Sequence, residues 1–333
     1  MRIPQKLKRL LWAFRTTDMP ERMTRLERQS QEILERISAI QATLSGIALR
    51  ESQLRAVFNR EAELEPEEPR LNAIIASDGI QAHVTRAVAR STVHAEPFPH
   101  AIVDDVLPKE LYASVLKGLP PSEVFADRPP NKRQLTVPFS LAPAYARRVW
   151  SFMADVVVPD FIVPAVIEKF RQPLDDWISA NWPHVSPPSV QLHNSDGRIL
   201  VRGRGYHIPP HRDPKWAFIT CILYLARKQD SEAWGTRLFS VDADEEARGP
   251  SPYWIDPARC RHVTDVAFRP NRMLVLLNSV GAHGAQIPDD APEDLERCIY
   301  QFRIAPTVES MSILKSSLSE ERRPFWSGKS ADY

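Results

Sequence analysis

The side chains best placed to do chemistry lie in Tyr206-His207-Ile208-Pro209-Pro210-His211-Arg212-Asp213-Pro214, where His211 and Asp213 form an H-x-D pair. Residues at i and i+2 of an extended segment project to the same side, so one imidazole and one carboxylate can converge on one point. A third ligand candidate, His283, follows 72 residues later in Leu277-Asn278-Ser279-Val280-Gly281-Ala282-His283-Gly284-Ala285, directly after a strongly apolar run. Two imidazoles and one carboxylate on one face of a metal leave the opposite face open for substrate, cofactor and oxygen, an arrangement that suits ferrous iron. Zinc accepts similar ligands, so zinc-assisted hydrolysis is the chemical rival; H-E-x-x-H is absent, and no general-base glutamate sits beside either histidine. A 2-oxo acid chelating iron needs a cation deeper in the site for its far carboxylate, and a guanidinium fork is the right group. Arg297 opens the last strand-like run, Arg297-Cys298-Ile299-Tyr300-Gln301-Phe302-Arg303, and Arg303 has the same parity, so both remain candidates.

Such ligands need a rigid scaffold. Short strands are expected at 189–192, 198–201, 216–225, 236–241, 263–268, 273–278 and 298–304, separated by turns bearing proline and glycine. An extended segment at 98–106 and a helix at 109–116 precede them, followed by a helical region at 144–182 punctuated by Pro164 and Pro173. Strands in one block and helices in another predict a mainly β, α+β fold, with helices flanking an antiparallel double-stranded β-helix, or jelly roll. His193, His207, Tyr206, Trp216 and Asn278 lie near the motif but read first as packing or backbone-bonded residues, and His100 as part of the opening strand.

The chain of 333 residues has 43% hydrophobic and 26% charged residues and a formal net charge of +1. That composition is globular and carries no global nucleic-acid footprint. Cys221, Cys260 and Cys298 are odd in number and form no C-x-x-C pair, which fits a reducing cytoplasm rather than a disulfide framework. The longest apolar runs, such as Met273–Leu277, fall short of a membrane span, and the apolar core near Leu10 is too short for a secretory signal. Lys6, Lys8, Arg9 and Arg15 surround Leu10, Leu11, Trp12 and Phe14, so residues 1–16 form a basic amphipathic arm able to lie on an anionic membrane face or on the protein itself. Leu26, Ile33, Ile40, Ile47 and Leu54 then recur every seven residues, with Met23, Ile37 and Leu44 three residues before members of that series. This is the a/d seam of a coiled coil, interrupted at Ser30 and Glu51, and it predicts a homo-oligomer through residues 23–58. The expected organisation is therefore 1–60 arm and coiled coil, 61–91 acidic linker and short helix, 92–310 jelly roll, and 311–333 C-terminal tail.

Residues 95–306 resemble the iron(II)- and 2-oxoglutarate-dependent dioxygenases, nearest to the prolyl-4-hydroxylase-like branch. The resemblance is carried by Phe98-Pro99-His100-Ala101-Ile102-Val103-Asp104-Asp105-Val106-Leu107-Pro108 with Glu110-Leu111-Tyr112, then the H-x-D pair, the run Phe218 to Leu225, the Gly235-Thr236 turn and His283-Gly284, in that order. It implies that His211, Asp213 and His283 ligate Fe(II), that Arg297 pairs with the distal carboxylate of 2-oxoglutarate, and that Tyr224 hydrogen-bonds the same carboxylate. The implied reaction consumes O2 and 2-oxoglutarate, releases succinate and CO2, and hydroxylates an unactivated C–H of a small-molecule, glycan-precursor or peptidyl substrate. Related halogenases lack the carboxylate that Asp213 supplies, so hydroxylation is favoured. The interval from His283 to Arg297 is longer than usual for the family, and 228–262 carries an insertion suited to a substrate lid. From another class comes a non-catalytic scaffold working through the coiled coil, although an intact ligand set speaks against it. The expected location is cytoplasmic, with peripheral contact at the inner membrane face.

Overall fold

Alternation of side chains along the strands builds the strand-rich half of the chain. The computed structural model describes residues 4–16, 19–125, 129, 131–136, 142–242, 253–278 and 280–326. The chain divides into two units, Met1–Arg55 and Ala56–Tyr333. Among the described residues the second unit has twelve strands: β1 (Val93–His94), β2 (His100–Val103), β3 (Lys132–Thr136), β4 (Leu192–Arg202), β5 (His207–Arg212), β6 (Ile219–Tyr224), β7 (Thr236–Val241), β8 (Tyr253–Trp254), β9 (Cys260–Val266), β10 (Met273–Leu277), β11 (Ala282–Gln286) and β12 (Arg297–Pro306). They form a seven-stranded sheet in the order β1-β2-β10-β6-β12-β4-β3 and a five-stranded sheet in the order β8-β5-β11-β7-β9, paired antiparallel throughout.

On the large sheet, Cys221 and Leu223 of β6, Met273 and Val275 of β10, and Cys298, Tyr300 and Phe302 of β12 face the outer core under the helices. Their neighbours Ile222, Tyr224, Leu274, Leu276 and Ile299 face the other way and meet Leu238 and Val266 of the small sheet. Period-two patterning buried on both faces thus gives two sheets face to face with helices on one side, the expected jelly-roll architecture.

Helices α1 (Gln5–Thr16) and α2 (Met19–Leu64) make up the N-terminal part of the chain. In the first unit α2 is unbroken despite Gly46, and its a/d residues Met23, Leu26, Ile33, Ile37, Ile40, Leu44, Ile47 and Leu54 are 45–62% exposed. In α1, Leu7, Leu10 and Trp12 are exposed as well.

The second unit carries α3 (Glu68–Ile75), α4 (Gly79–Arg90), α5 (Lys109–Lys117), α6 (Ala144–Phe152), α7 (Val163–Lys169), α8 (Arg171–Asn181) and α9 (Val308–Ser316), with a π-helical stretch Met153–Ile162 joining α6 to α7. The joined helix Ala144–Lys169 has 26 residues and a mean hydropathy of 1.6 over its most apolar window, enough by composition to cross a membrane. The short-run reading overlooked it because Pro159 and scattered charges interrupt the apolar pattern. Val149, Trp150, Met153, Val157, Val158, Ile162 and Val166 seat this helix in the outer core.

Segment 61–91, expected as an acidic linker and short helix, is mostly helical, and Leu64, Leu71, Ile80, Val84 and Val88 enter the outer core while its glutamates stay on the outside. In the described part of the C-terminal tail, 311–333, Leu314, Leu318 and Trp326 join the same core. Part of the 228–262 insertion, at 243–252, lies outside the described residues, as does Ser279.

Candidate metal centre and its cavity

Strand register brings the two histidines together. β11 pairs with β5, and His283 stands directly opposite His211, their ring centroids 4.3 Å apart. Asp213 lies one residue past the end of β5. The ligand atoms of His211, Asp213 and His283 all fall within 4.8 Å of one another, and all three residues are buried. The Nδ1 of His211 is 3.0 Å from the Pro209 carbonyl. A carbonyl only accepts, so Nδ1 carries the proton and Nε2 presents its lone pair, the tautomer a metal needs. Burial pushes both imidazoles towards the neutral form, His283 furthest, with His211 adding to the effect on His283. Burial pushes the Asp213 carboxyl up; the His211 charge, the Thr220 hydroxyl and Arg198 oppose it.

Asp213 is fixed from several sides. Thr220 Oγ1 donates to Oδ2 at 2.6 Å, Gln301 Nε2 to Oδ2 at 3.3 Å, and Arg303 to Oδ1 at 3.1 Å. The Asp213 backbone N–H donates to Asn278 Oδ1 at 2.8 Å, and Asn278 Nδ2 donates to the carbonyls of Pro214 and Ala217, both at 3.0 Å. Asn278, immediately after β10, therefore clips the turn that carries Asp213. The turn into β11 is set by Gly281, whose φ of +64° favours glycine and whose missing Cβ leaves room for the Phe98 ring. Its carbonyl accepts from Arg212 Nε at 2.7 Å.

The two arginines take different places. Arg303 is the buried ion-pair partner of Asp213 and lies over the Trp216 ring. Arg297, 2% exposed, donates through Nε to the Trp234 carbonyl and through its guanidinium to that of Gly235 at 3.4 Å, with its charge 5.2 Å from the Phe268 ring centroid. It lines the cavity, and no acidic side chain among the described residues pairs with it. Tyr224 lies behind Thr236. Its side chain is fully buried off the cavity wall and donates to Thr236 Oγ1 at 2.8 Å, so Thr236 is the residue that faces the cavity. The cavity has an apolar wall that includes Leu200, Ile208, Ile222 and Ile299.

His193 and His207 are exposed, and His100 sits on β2 stacked against His94. Thr220, Gln301 and Thr236 escaped sequence reading as site residues. Gln301 shares the parity of Arg297 and Arg303 along β12, which is the signal that could have found it; Thr220 and Thr236 carry no such mark.

A donor set of two neutral imidazoles and one carboxylate, buried and with a cavity on its open side, fits ferrous iron. No protein-family model matches the sequence, and no curated protein matches it either. Solved structures similar to this chain include a prolyl hydroxylase from Trichoplax adhaerens in complex with a hypoxia-inducible-factor oxygen-degradation-domain peptide, at 11% identity and a TM-score of 0.38 over 75% of this chain and 93% of that one. HygX from Streptomyces hygroscopicus with nickel and 2-oxoglutarate bound is similar at 12% identity and a TM-score of 0.40, covering 63% of this chain and 83% of that one. The non-heme alpha-ketoglutarate-dependent epimerase SnoN from nogalamycin biosynthesis is similar at 12% identity and 0.41, covering 67% and 81%.

Proposed function

We propose that the chain is an iron(II)- and 2-oxoglutarate-dependent oxygenase that hydroxylates an unactivated C–H bond. One observation carries the reading: a single cavity holds the buried His211, Asp213 and His283 cluster together with Arg297, a buried cation that has no acidic partner among the described residues. A buried unpaired charge is costly, and the distal carboxylate of 2-oxoglutarate would complete it. Bound iron would supply the activation of dioxygen that couples decarboxylation of 2-oxoglutarate to hydroxylation.

The chain's own residues do the remainder. His211 and His283, kept neutral by burial, offer lone pairs without first losing a proton. Arg303, Thr220 and Gln301 hold the Asp213 carboxylate in one orientation. Arg297 and Thr236 would orient the 2-oxo acid, and the apolar wall around Ile222 and Ile299 keeps bulk water from competing. The hydrolytic reading has less support, since among the described residues lining the cavity the one carboxylate is Asp213, itself a member of the ligand cluster.

The test is an anaerobic titration with Fe(II) and 2-oxoglutarate, followed by succinate release in air over a panel of substrates. The enzyme is expected to show a weak visible charge-transfer band and succinate release that His211→Ala abolishes. Equal release by wild type and variant would sink the assignment.

A further inference from the structure

Two buried guanidiniums stand side by side on the cavity wall. β12 pairs antiparallel with β4 so that Arg297 lies directly opposite Arg202, and both side chains line the cavity. Residues in that relation have Cβ atoms about 5 Å apart. Alternation turns Arg202 to the cavity and its neighbour Val201 to the outer core; on β12, Arg297 and Ile299 face the cavity while Cys298 turns away. The two arginines are 5% and 2% exposed, so water screens their repulsion poorly, and the Arg202 charge acts on Arg297.

Neither arginine spends all of its donors on protein. Arg202 gives Nη1 to the carbonyls of Arg133 and Val201, at 2.9 and 3.2 Å, and its guanidinium lies 4.9 Å from the Tyr206 ring centroid. Those contacts orient the group and leave the N–H donors of Nε and Nη2 without a protein acceptor among the described residues. Arg297 gives Nε to the Trp234 carbonyl and Nη2 to that of Gly235, which leaves Nη1. None of these remaining donors is sealed inside the protein. A carboxylate offers two oxygens and about four lone-pair sites, enough to accept from both guanidiniums at once.

We propose that Arg202 is a second cation for the distal carboxylate of the 2-oxo acid, so that Arg202 and Arg297 form a two-guanidinium clamp that selects 2-oxo acids with an anionic far end. The identity of the ligand rests on the oxygenase reading; a carboxylate site between the two arginines does not. Selection follows from the empty clamp itself. A ligand with a neutral far end leaves two like charges facing each other and displaces the water that solvates them, whereas a carboxylate relieves the repulsion.

The experiment is anaerobic titration of the full chain loaded with Fe(II), read from the charge-transfer band, with 2-oxoglutarate and 2-oxopentanoate, which share one carbon skeleton and differ by the distal carboxylate. The wild type should prefer 2-oxoglutarate by about a hundredfold or more. Arg202→Gln should weaken 2-oxoglutarate about tenfold or more and 2-oxopentanoate by less than about threefold, and Arg202→Lys should recover part of the loss. Retained binding of 2-oxopentanoate also shows that the variant is folded. A wild type that binds the two acids alike would overturn the clamp without any variant. So would an Arg202→Gln protein with the wild-type preference, or one that loses both acids equally, since packing damage at β4 does not discriminate between them. No band with either acid would remove the oxygenase reading, and thermal unfolding would then decide the clamp. Glutarate at millimolar concentration should raise the unfolding midpoint of the wild type and leave that of Arg202→Gln unmoved; a wild type that glutarate does not stabilise would overturn the clamp as well.

Discussion

Asn278→Ala should loosen the turn that carries Asp213. The Asn278 side chain is buried and makes three hydrogen bonds to backbone, accepting from Asp213 N–H and donating to the carbonyls of Pro214 and Ala217. Truncation strands all three groups away from water, and each unsatisfied group costs about 1–3 kcal/mol. Partial relaxation keeps the total below the sum, at about 3–5 kcal/mol. With a urea slope of about 3 kcal/mol per molar, the unfolding midpoint should fall by roughly 1–2 M. Fe(II) affinity, titrated anaerobically, should fall about 10- to 100-fold, as it does when groups that orient metal ligands are removed. Asn278→Asp separates the two halves of the role: a carboxylate still accepts from Asp213 N–H but cannot donate to the carbonyls, and it places a second negative charge near Asp213. It should be no more stable than the alanine variant. An Asn278→Ala protein that unfolds at the wild-type midpoint and binds iron as tightly would refute the assignment of this amide as the clip.

Two other expectations follow from different parts of the chain. We propose that the exposed seam of α2 pairs with further copies of itself: Ile37 with Ile40, and Leu44 with Ile47, are a/d combinations that favour three or four strands, and Arg22 and Glu27 take g and e positions that attract across a parallel interface. Sedimentation equilibrium should give a trimer or tetramer that Ile37→Glu with Leu44→Lys converts to monomer, whereas a wild-type monomer at micromolar concentration would dismiss the seam. Burial raises the thiols of Cys221 and Cys298, the latter to about 12, and pushes the phenols of Tyr112 and Tyr300 up as well. Unfolded thiols ionise near 8.5, so above about pH 9 the unfolded chain binds fewer protons than the native one and stability falls as pH rises. Replacing Cys221 and Cys298 with alanine should flatten the decline in urea midpoint between pH 8 and 10.5; an unchanged slope would assign it elsewhere.

Residue type and local spacing made much of the site legible. His211, Asp213 and His283 stood out because a metal needs particular donors and a strand has a period of two, and β6, β10 and β12 because both of their faces are apolar. β3 was missed for the opposite reason: Lys-Arg-Gln-Leu-Thr turns a polar face to a polar cavity, so no hydrophobic alternation marks it. The helical segment 61–91 was masked by glutamates that occupy its outer face while Leu71, Val84 and Val88 occupy the inner one. The roles of Asn278 and Thr220, the division of labour between Arg297 and Arg303, and the placing of Arg202 beside Arg297 depend on which distant strands become neighbours. Nothing in a short window of sequence contains that information.

The face-to-face placement of His211 and His283 on adjacent strands also bears on how the small sheet finds its alignment. Sliding β11 by one residue against β5 would turn the second imidazole to the far side, and the ladder there is already irregular between His283 and Ala285. Only the native pairing lets a single cation touch both rings, and whatever binds one arrangement alone stabilises that arrangement alone. Iron would then act as a rivet as well as a reagent, fastening an irregular seam of the small sheet at the very point where two stretches of chain 72 residues apart must meet.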